Sequence, residues 1–321
     1  MSRLLVIASS PHIRSETSTA KIMGWALIAL APAGLAGIWF LGARSVLVMA
    51  VCVASCVAAE AVWQKGSKRK ITVSDLSAAV TGLLLAYSVP PTIPLWTAAC
   101  GSVFAMVVVK HFFGGLGQNI VNPALAARAM MLICWPVAMT AWTVHGISGP
   151  TPLSILGSGV EETGGATALP SLMDAFLGNM GGCIGETSVL ALLIGGGILI
   201  FKEIISWRVP VTYIATVAVM SEIFGRGGPL LEIMTGGLML GAIFMATDYT
   251  TSPMTPKGQF VFALGCGLLT ALIRTFGGYP EGVSYSILIM NLTVPIIDRM
   301  TAPRVFGGVG RLKEAKKHGG K

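Results

Sequence analysis

Four stretches of this 321-residue chain gather residue types that can do chemistry. The first is Ala246-Thr247-Asp248-Tyr249-Thr250-Thr251-Ser252-Pro253. A carboxylate among hydroxyls, closed by Pro253 and Pro256, suits a hard cation or a flavin ring. The second is Gly114-Gly115-Leu116-Gly117-Gln118-Asn119-Ile120-Val121-Asn122-Pro123. Its glycines allow close backbone approach. Gln118, Asn119 and Asn122 offer donors and acceptors without charge, as one edge of an isoalloxazine requires. Asn122-Pro123 also reads as a helix start, with Asn as N-cap and Pro at the first helical position. The two roles are compatible.

The third stretch, Arg274-Thr275-Phe276-Gly277-Gly278-Tyr279-Pro280-Glu281-Gly282, joins a cation to an aromatic. It reads either as a tight turn with an interfacial tyrosine or as a phosphate contact, because the guanidinium fork matches phosphate. The fourth is Thr163-Gly164-Gly165-Ala166-Thr167, which ends in a hydroxyl that nothing nearby activates. Taken alone it is also an ordinary Gly/Thr turn.

Other chemistries have no pattern here. There is no Walker motif, hydrolytic triad or CxxC, and Gly114-Gly115-Leu116-Gly117 does not follow a strand as a dinucleotide loop must. Cys52 and Cys56 share a helix face but lack further metal ligands. Cys183 lies outside any apolar run and reads as a free thiol. His12, His111, His145 and His318 show no ligand spacing.

The elements that must position these stretches are membrane helices. The chain is 54% hydrophobic and 11% charged, against about 25% charged in soluble domains. Its net charge of +8 does not imply nucleic acid, because the basic residues sit at helix ends and in the tail. A span needs about 20 apolar residues. Apolar runs occur at 22–43, 45–63, 76–109, 123–142, 187–205, 209–224, 230–247, 258–275 and 283–299. Pro90, Pro91 and Pro94 divide the run at 76–109 in two, which makes ten helices.

Charge then orients the ten-helix arrangement. With the N-terminus inside, the inner segments hold 18 of the 22 Lys and Arg residues. Lys110 is counted among them. The outer segments hold Arg44, Arg226 and Arg274, and Arg128 falls within the fifth helix. Both termini are therefore expected in the cytoplasm, with 143–186 as an external loop. That loop has no Lys or Arg but carries Glu161, Glu162, Asp174 and Glu186.

A weak repeat divides the chain into a first five-helix unit (22–142) and a second (187–299), flanked by a cytoplasmic N-terminal segment (1–21) and a basic tail (300–321). Thr81-Gly82-Leu83-Leu84 resembles Thr235-Gly236-Gly237-Leu238, and Phe113-Gly114-Gly115 resembles Phe276-Gly277-Gly278. Five helices is an odd number, so the units are expected to insert in opposite orientations. Of the acids at membrane depth, Glu60, Asp75, Glu203, Glu222, Glu232 and Asp298 read mainly as end caps or interfacial pairs. Asp248 stands out as a candidate for an ion path.

Together these stretches resemble one family: the D subunit of the Rnf complex and its relative, the B subunit of the sodium-pumping NADH:quinone reductase. The resemblance rests on Phe113 to Asn119 with Asn122-Pro123-Ala124, on Gly165-Ala166-Thr167, on Ala246-Thr247-Asp248 with Thr251-Ser252-Pro253, and on Tyr279-Pro280-Glu281-Gly282-Val283-Ser284-Tyr285-Ser286 through Asn291. It runs from helix four to helix ten, and the chain length is more like the Rnf subunit.

The resemblance implies FMN joined through its phosphate to the last Thr of a Ser/Thr-Gly-Ala-Thr motif, here Thr167. Gly164 departs from that motif, with Thr163 one residue earlier. A threonine hydroxyl is a weak nucleophile, so a separate flavin transferase is implied. The candidate cofactor-contacting residues are Gly165 and Ala166 beside Thr167, together with Gly115, Asn119, Asn122 and Arg274 from the stretches above, and the resemblance implies a second, non-covalent flavin (riboflavin) within the bundle. The resemblance further implies a subunit of a bacterial or archaeal cytoplasmic-membrane complex that passes electrons between ferredoxin and NAD and moves sodium ions or protons. Other membrane and peripheral subunits, including a second covalent-FMN subunit, are its implied partners. No soluble substrate is expected for the subunit alone. A quinone-reductase subunit and a secondary transporter without redox role are the competing readings.

Overall fold

The computed structural model describes residues 17–144, 147–148, 153, 170–226, 228–277 and 281–303. Among them the chain is helical, apart from a two-residue antiparallel ladder between β1 (Thr143–Val144) and β2 (Ile147–Ser148). The first part contains α1 (Thr19–Leu41), α2 (Arg44–Gly66), α3 (Ser77–Tyr87), α4 (Leu95–Phe104, continued by a π-helical turn over Ala105–His111), α5 (Pro123–Cys134) and α6 (Pro136–Met139). The short α7 (Leu172–Leu177) follows. The second part contains α8 (Val189–Phe201), α9 (Arg208–Ile223), α10 (Pro229–Met234), α11 (Leu238–Leu240, continued by a π-helical turn over Gly241–Met245), α12 (Pro256–Phe276) and α13 (Val283–Thr301).

Of the described helices, α1, α2 and α12 are long and apolar enough to cross a membrane, and α3, α4, α5 and α8 are shorter apolar helices. The outer surface is apolar as well: Trp39 and Phe201 are each 83% exposed and Met300 81%. Side chains of this kind turned outward on a helical bundle suit lipid rather than water.

Local chemistry sets the helix starts. Asn122 accepts from the amides of Ala124 (3.0 Å) and Leu125 (3.4 Å), with Pro123 at the first helical position, as the dipeptide predicts. Thr255 and Pro256 open α12 in the same way, with Thr255 accepting from the Gly258 amide at 3.0 Å. Proline also sets an end that the apolar pattern hides. The run expected at 123–142 stops at Cys134, because Pro136 excludes a helical backbone at Trp135, where φ is −134° and ψ 61°. The run expected at 230–247 is divided as well. Thr235 is extended and Gly236 has φ +71°, so α10 and α11 are separate half-helices.

In the bundle, α2 packs on α3 and α4, α9 on α12, α12 on α13, and α1 on α8. One continuous core includes Leu30, Leu85, Tyr87, Ile184, Tyr213 and Phe262. Small residues bring the helices close: a Cβ on Gly82 of α3 would lie 2.8 Å from the Val53 Cα of α2.

Candidate functional site

Broken helices leave backbone groups without partners, and in a membrane those groups must be satisfied inside the protein. After α3 the chain breaks over Ser88–Pro94. The Tyr87 carbonyl accepts from the Gly185 amide (3.0 Å), and the Val89 carbonyl from the Ile184 amide (3.2 Å). The Ser88 carbonyl accepts from Arg128 Nε (2.7 Å) and Cys183 Sγ (3.3 Å). Residues 183–186 are thus packed into the bundle. Glu186, counted in the sequence as an external acid, is buried there. Arg128 also pairs with Glu281 and donates to Ser284 Oγ, so it ties α5 to the start of α13.

The second break follows the π-helical turn that ends at Met245. Asn122 Nδ2 donates to the Met245 carbonyl at 3.3 Å. Asp248 Oδ2 accepts from the hydroxyls of Thr250 (2.8 Å) and Thr251 (3.1 Å). Asn291 of α13 is buried beside them. With its amide nitrogen toward the Thr251 carbonyl (3.0 Å), its oxygen accepts the Asn122 amide at 3.1 Å. The Asn122-Pro123 and Thr247-Asp248 stretches, 125 residues apart in sequence, therefore share one polar seam.

Beside this seam is a cavity of about 120 Å³. One water needs about 10–15 Å³ of such space, so the cavity suits a larger occupant. Its walls are mainly apolar, from Ile22, Met23, Leu30, Leu84 and Phe244, with Ser77, Lys110, Asn119, Asn122, Thr247, Asp248 and Thr250 as polar members. Apolar walls with a few convergent polar groups are the usual make-up of a cofactor site. Neutral donors and acceptors on one wall match the edge of a planar heterocycle, and the apolar walls match its faces.

The other predicted site residues divide clearly. Gly115 is not on the cavity wall. With φ +109° it bends the chain back so that its amide reaches the Lys110 carbonyl at 3.0 Å, setting up the loop that delivers Leu116 and Asn119. Arg274 is not on the wall either, and it is buried rather than on an outer surface. Its Nη1 donates to the Glu232 carbonyl (2.9 Å) and lies 3.7 Å from Glu232 Oε1, while Nη2 donates to the Thr235 carbonyl (3.4 Å). The guanidinium therefore satisfies the end of α10. Gly165, Ala166 and Thr167 lie outside the described residues.

Sequence reasoning missed a buried polar cluster that adjoins the cavity. Lys110, counted as an inner loop charge, is 2% exposed. Its Nζ donates to Glu60 Oε1 (2.8 Å) and Ser77 Oγ (2.7 Å). His111 Nε2 lies 3.4 Å from the same Glu60 oxygen. The signal was present, since an acid and two bases sit at the edges of long apolar runs, but their pairing depends on how α2 and α4 pack. Arg128 was seen inside a helix; its partner Glu281 was not.

A family model described as the NQR2, RnfD, RnfE family matches residues 6–307. The chain belongs to the NQR2, RnfD, RnfE family. Members with curated descriptions match it over nearly its full length. The chain is 51% identical to the D subunit of the Na(+)-translocating ferredoxin:NAD(+) oxidoreductase complex of Acetobacterium woodii, with 97% of this chain and 98% of the relative covered. It is 45% identical to the D subunit of the proton-translocating ferredoxin:NAD(+) oxidoreductase complex of Clostridium ljungdahlii, with 95% and 96% covered. It is 35% identical to the D subunit of the ion-translocating oxidoreductase complex of Halorhodospira halophila, with 94% and 95% covered. In this NQR2, RnfD, RnfE member, the cavity is lined by residues of two of the stretches that carried the sequence resemblance.

Proposed function

We propose that this protein is the D subunit of an Rnf-type complex, an ion-translocating ferredoxin:NAD oxidoreductase of the membrane. Its role is to carry flavins in the electron path. Support comes from full-length similarity to proteins named as that subunit, and from the cavity at Asn119, Asn122 and Asp248. That cavity is the observation that carries the reading. It favours a redox subunit over a secondary transporter, because its apolar faces and the uncharged amides of Asn119 and Asn122 suit a flat ring. The names of its relatives favour ferredoxin and NAD as the redox partners over quinone.

In this reading the cavity would hold riboflavin, with Asn119 and Asn122 offering it donors and acceptors and Phe244 and Leu84 offering apolar wall. The flavin supplies one- and two-electron transfer. The chain excludes water with its apolar wall and keeps Asp248 oriented through the Thr250 and Thr251 hydroxyls. Asp248, on the cavity wall, would serve the ion path. Moving one charge against 100 mV costs about 2.3 kcal/mol, so each translocated ion needs a redox drop of at least that size.

FMN is esterified through its phosphate to the Thr167 hydroxyl by a flavin transferase, on the external side. Ten helices in two inverted five-helix units, with both termini in the cytoplasm, complete the arrangement. The separate half-helices α10 and α11 and the breaks after Tyr87 and Met245 support it. The remaining membrane and peripheral subunits, including a second covalent-FMN subunit, are the partners. The test is in-gel flavin fluorescence of the chain co-expressed with a transferase. Fluorescence should remain on the denatured wild-type band and disappear in Thr167→Val. A dark wild-type band, or a fluorescent Thr167→Val, overturns the attachment.

A further inference from the structure

The cavity wall carries a hydrogen-bonded chain whose role goes beyond holding a ring, although it rests on that reading. Lys110 and Ser77 both line the cavity. Lys110 Nζ donates to Ser77 Oγ at 2.7 Å, and Ser77 Oγ donates to Asp75 Oδ1 at 2.6 Å. Asp75 ends a 3₁₀ turn (Val73–Asp75) and is only partly buried, whereas Ser77 and Lys110 are buried. The chain therefore runs without a gap from a surface carboxylate to an ammonium on the cavity wall. Its middle member is a hydroxyl, which both donates and accepts.

We propose that Asp75, Ser77 and Lys110 are a proton relay serving the cavity. A flavin ring that receives two electrons from a one-electron redox partner in the complex gains negative charge, which protons must neutralise. Lys110 gives an Nζ proton to a ring nitrogen: one N–H bond breaks and another forms. The Ser77 hydroxyl, which donates to Asp75 while Lys110 is an ammonium, turns to give its proton to the neutral amine, and Ser77 Oγ regains a proton through Asp75 from water. The electrons arrive separately, and the relay ends each cycle unchanged. Glu60 is the counter-ion that stabilises the restored ammonium. The groups facing Lys110 fit this role: Glu60 and Gln64 on α2, His111 beside it, Asp75 and Ser77 at the start of α3, and Asp248 and Tyr249 across the cavity.

The relay is tested on the purified complex with full-length wild-type chain, Ser77→Ala, Ser77→Thr and Asp75→Asn. Acid extraction counts the releasable flavin, and stopped-flow absorbance follows its reduction in H₂O and D₂O. Ser77→Ala should keep the flavin, slow its reduction by about tenfold or more, and change the H₂O/D₂O rate ratio. Ser77→Thr should restore both. Asp75→Asn should behave like Ser77→Ala, because an amide oxygen still accepts the Ser77 amide (2.8 Å to Asp75 Oδ1) but carries no proton. Wild-type rates and isotope ratios in Ser77→Ala and Asp75→Asn, with the flavin still bound, overturn the relay alone. A wild-type complex that releases no flavin overturns the cavity assignment, and the relay with it.

Discussion

Glu60 and Lys110 form an ion pair with Oε1 and Nζ 2.8 Å apart, and both side chains are almost fully buried, at 1% and 3% exposure. They come from α2 and the π-helical end of α4, so the pair joins two helices beside the cavity. Removing one partner leaves the other charge stranded, which costs about 3–5 kcal/mol. Lys110→Met is expected to lower the thermal midpoint of the detergent-solubilised protein strongly. Lys110→Met with Glu60→Met should recover much of that loss. Two additive losses would show that the pair is not coupled.

Asp248 accepts from two threonine hydroxyls and lines the cavity, and it is remote in sequence from Thr167, the proposed attachment residue. Asp248→Asn should therefore impair ion-coupled turnover in vesicles while leaving covalent flavin on the chain. Sodium dependence of the wild-type turnover in the same vesicles distinguishes a sodium pump from a proton pump. Wild-type transport by Asp248→Asn would remove this carboxylate from the ion path.

Gly164 stands where the attachment motif has a hydroxyl residue. If a transferase reads that position, Gly164→Ser should raise the fraction of chain carrying flavin, measured as fluorescence per band. An unchanged fraction would mean that Gly-Ala-Thr, with Thr163 upstream, is sufficient.

Gly82 and Gly197 offer a paired test of helix packing. A Cβ on Gly82 meets the α2 backbone, at 2.8 Å from the Val53 Cα, whereas a Cβ on Gly197 meets nothing within 4 Å. Gly82→Ala should cost about 1–3 kcal/mol through overpacking. Gly197→Ala should be neutral, or stabilising by up to about 1 kcal/mol through helix propensity. Equal melting temperatures for the two variants would contradict the α2–α3 contact.

Much of the site was legible before folding. Asn122-Pro123 announced a capped helix start, because an N-cap and a proline are local signals. Asp248 among hydroxyls announced a polar break. What could not be read was which charges meet. Lys110 passed for a loop cation because position along the chain says nothing about the packing of α2 on α4. Arg274 could be read as a turn residue or a phosphate contact, whereas its bonds to the Glu232 and Thr235 carbonyls exist only once α10 ends beside α12.

The sequence by itself determined a helical membrane protein and the places where its helices begin and break. Those features follow from apolar length, proline chemistry and capping, all of which act within a few residues. It also carried the family, in motifs spread from Phe113 to Asn291. Only the tertiary structure decided that Asn122 and Asp248 share one cavity wall, that Glu186 is drawn into the bundle, and that Lys110 connects the cavity to Asp75 through Ser77. Each of these depends on satisfying backbone and charged groups away from water. Where there is no solvent to pair with, the partner must come from elsewhere in the fold, at whatever sequence distance packing brings it.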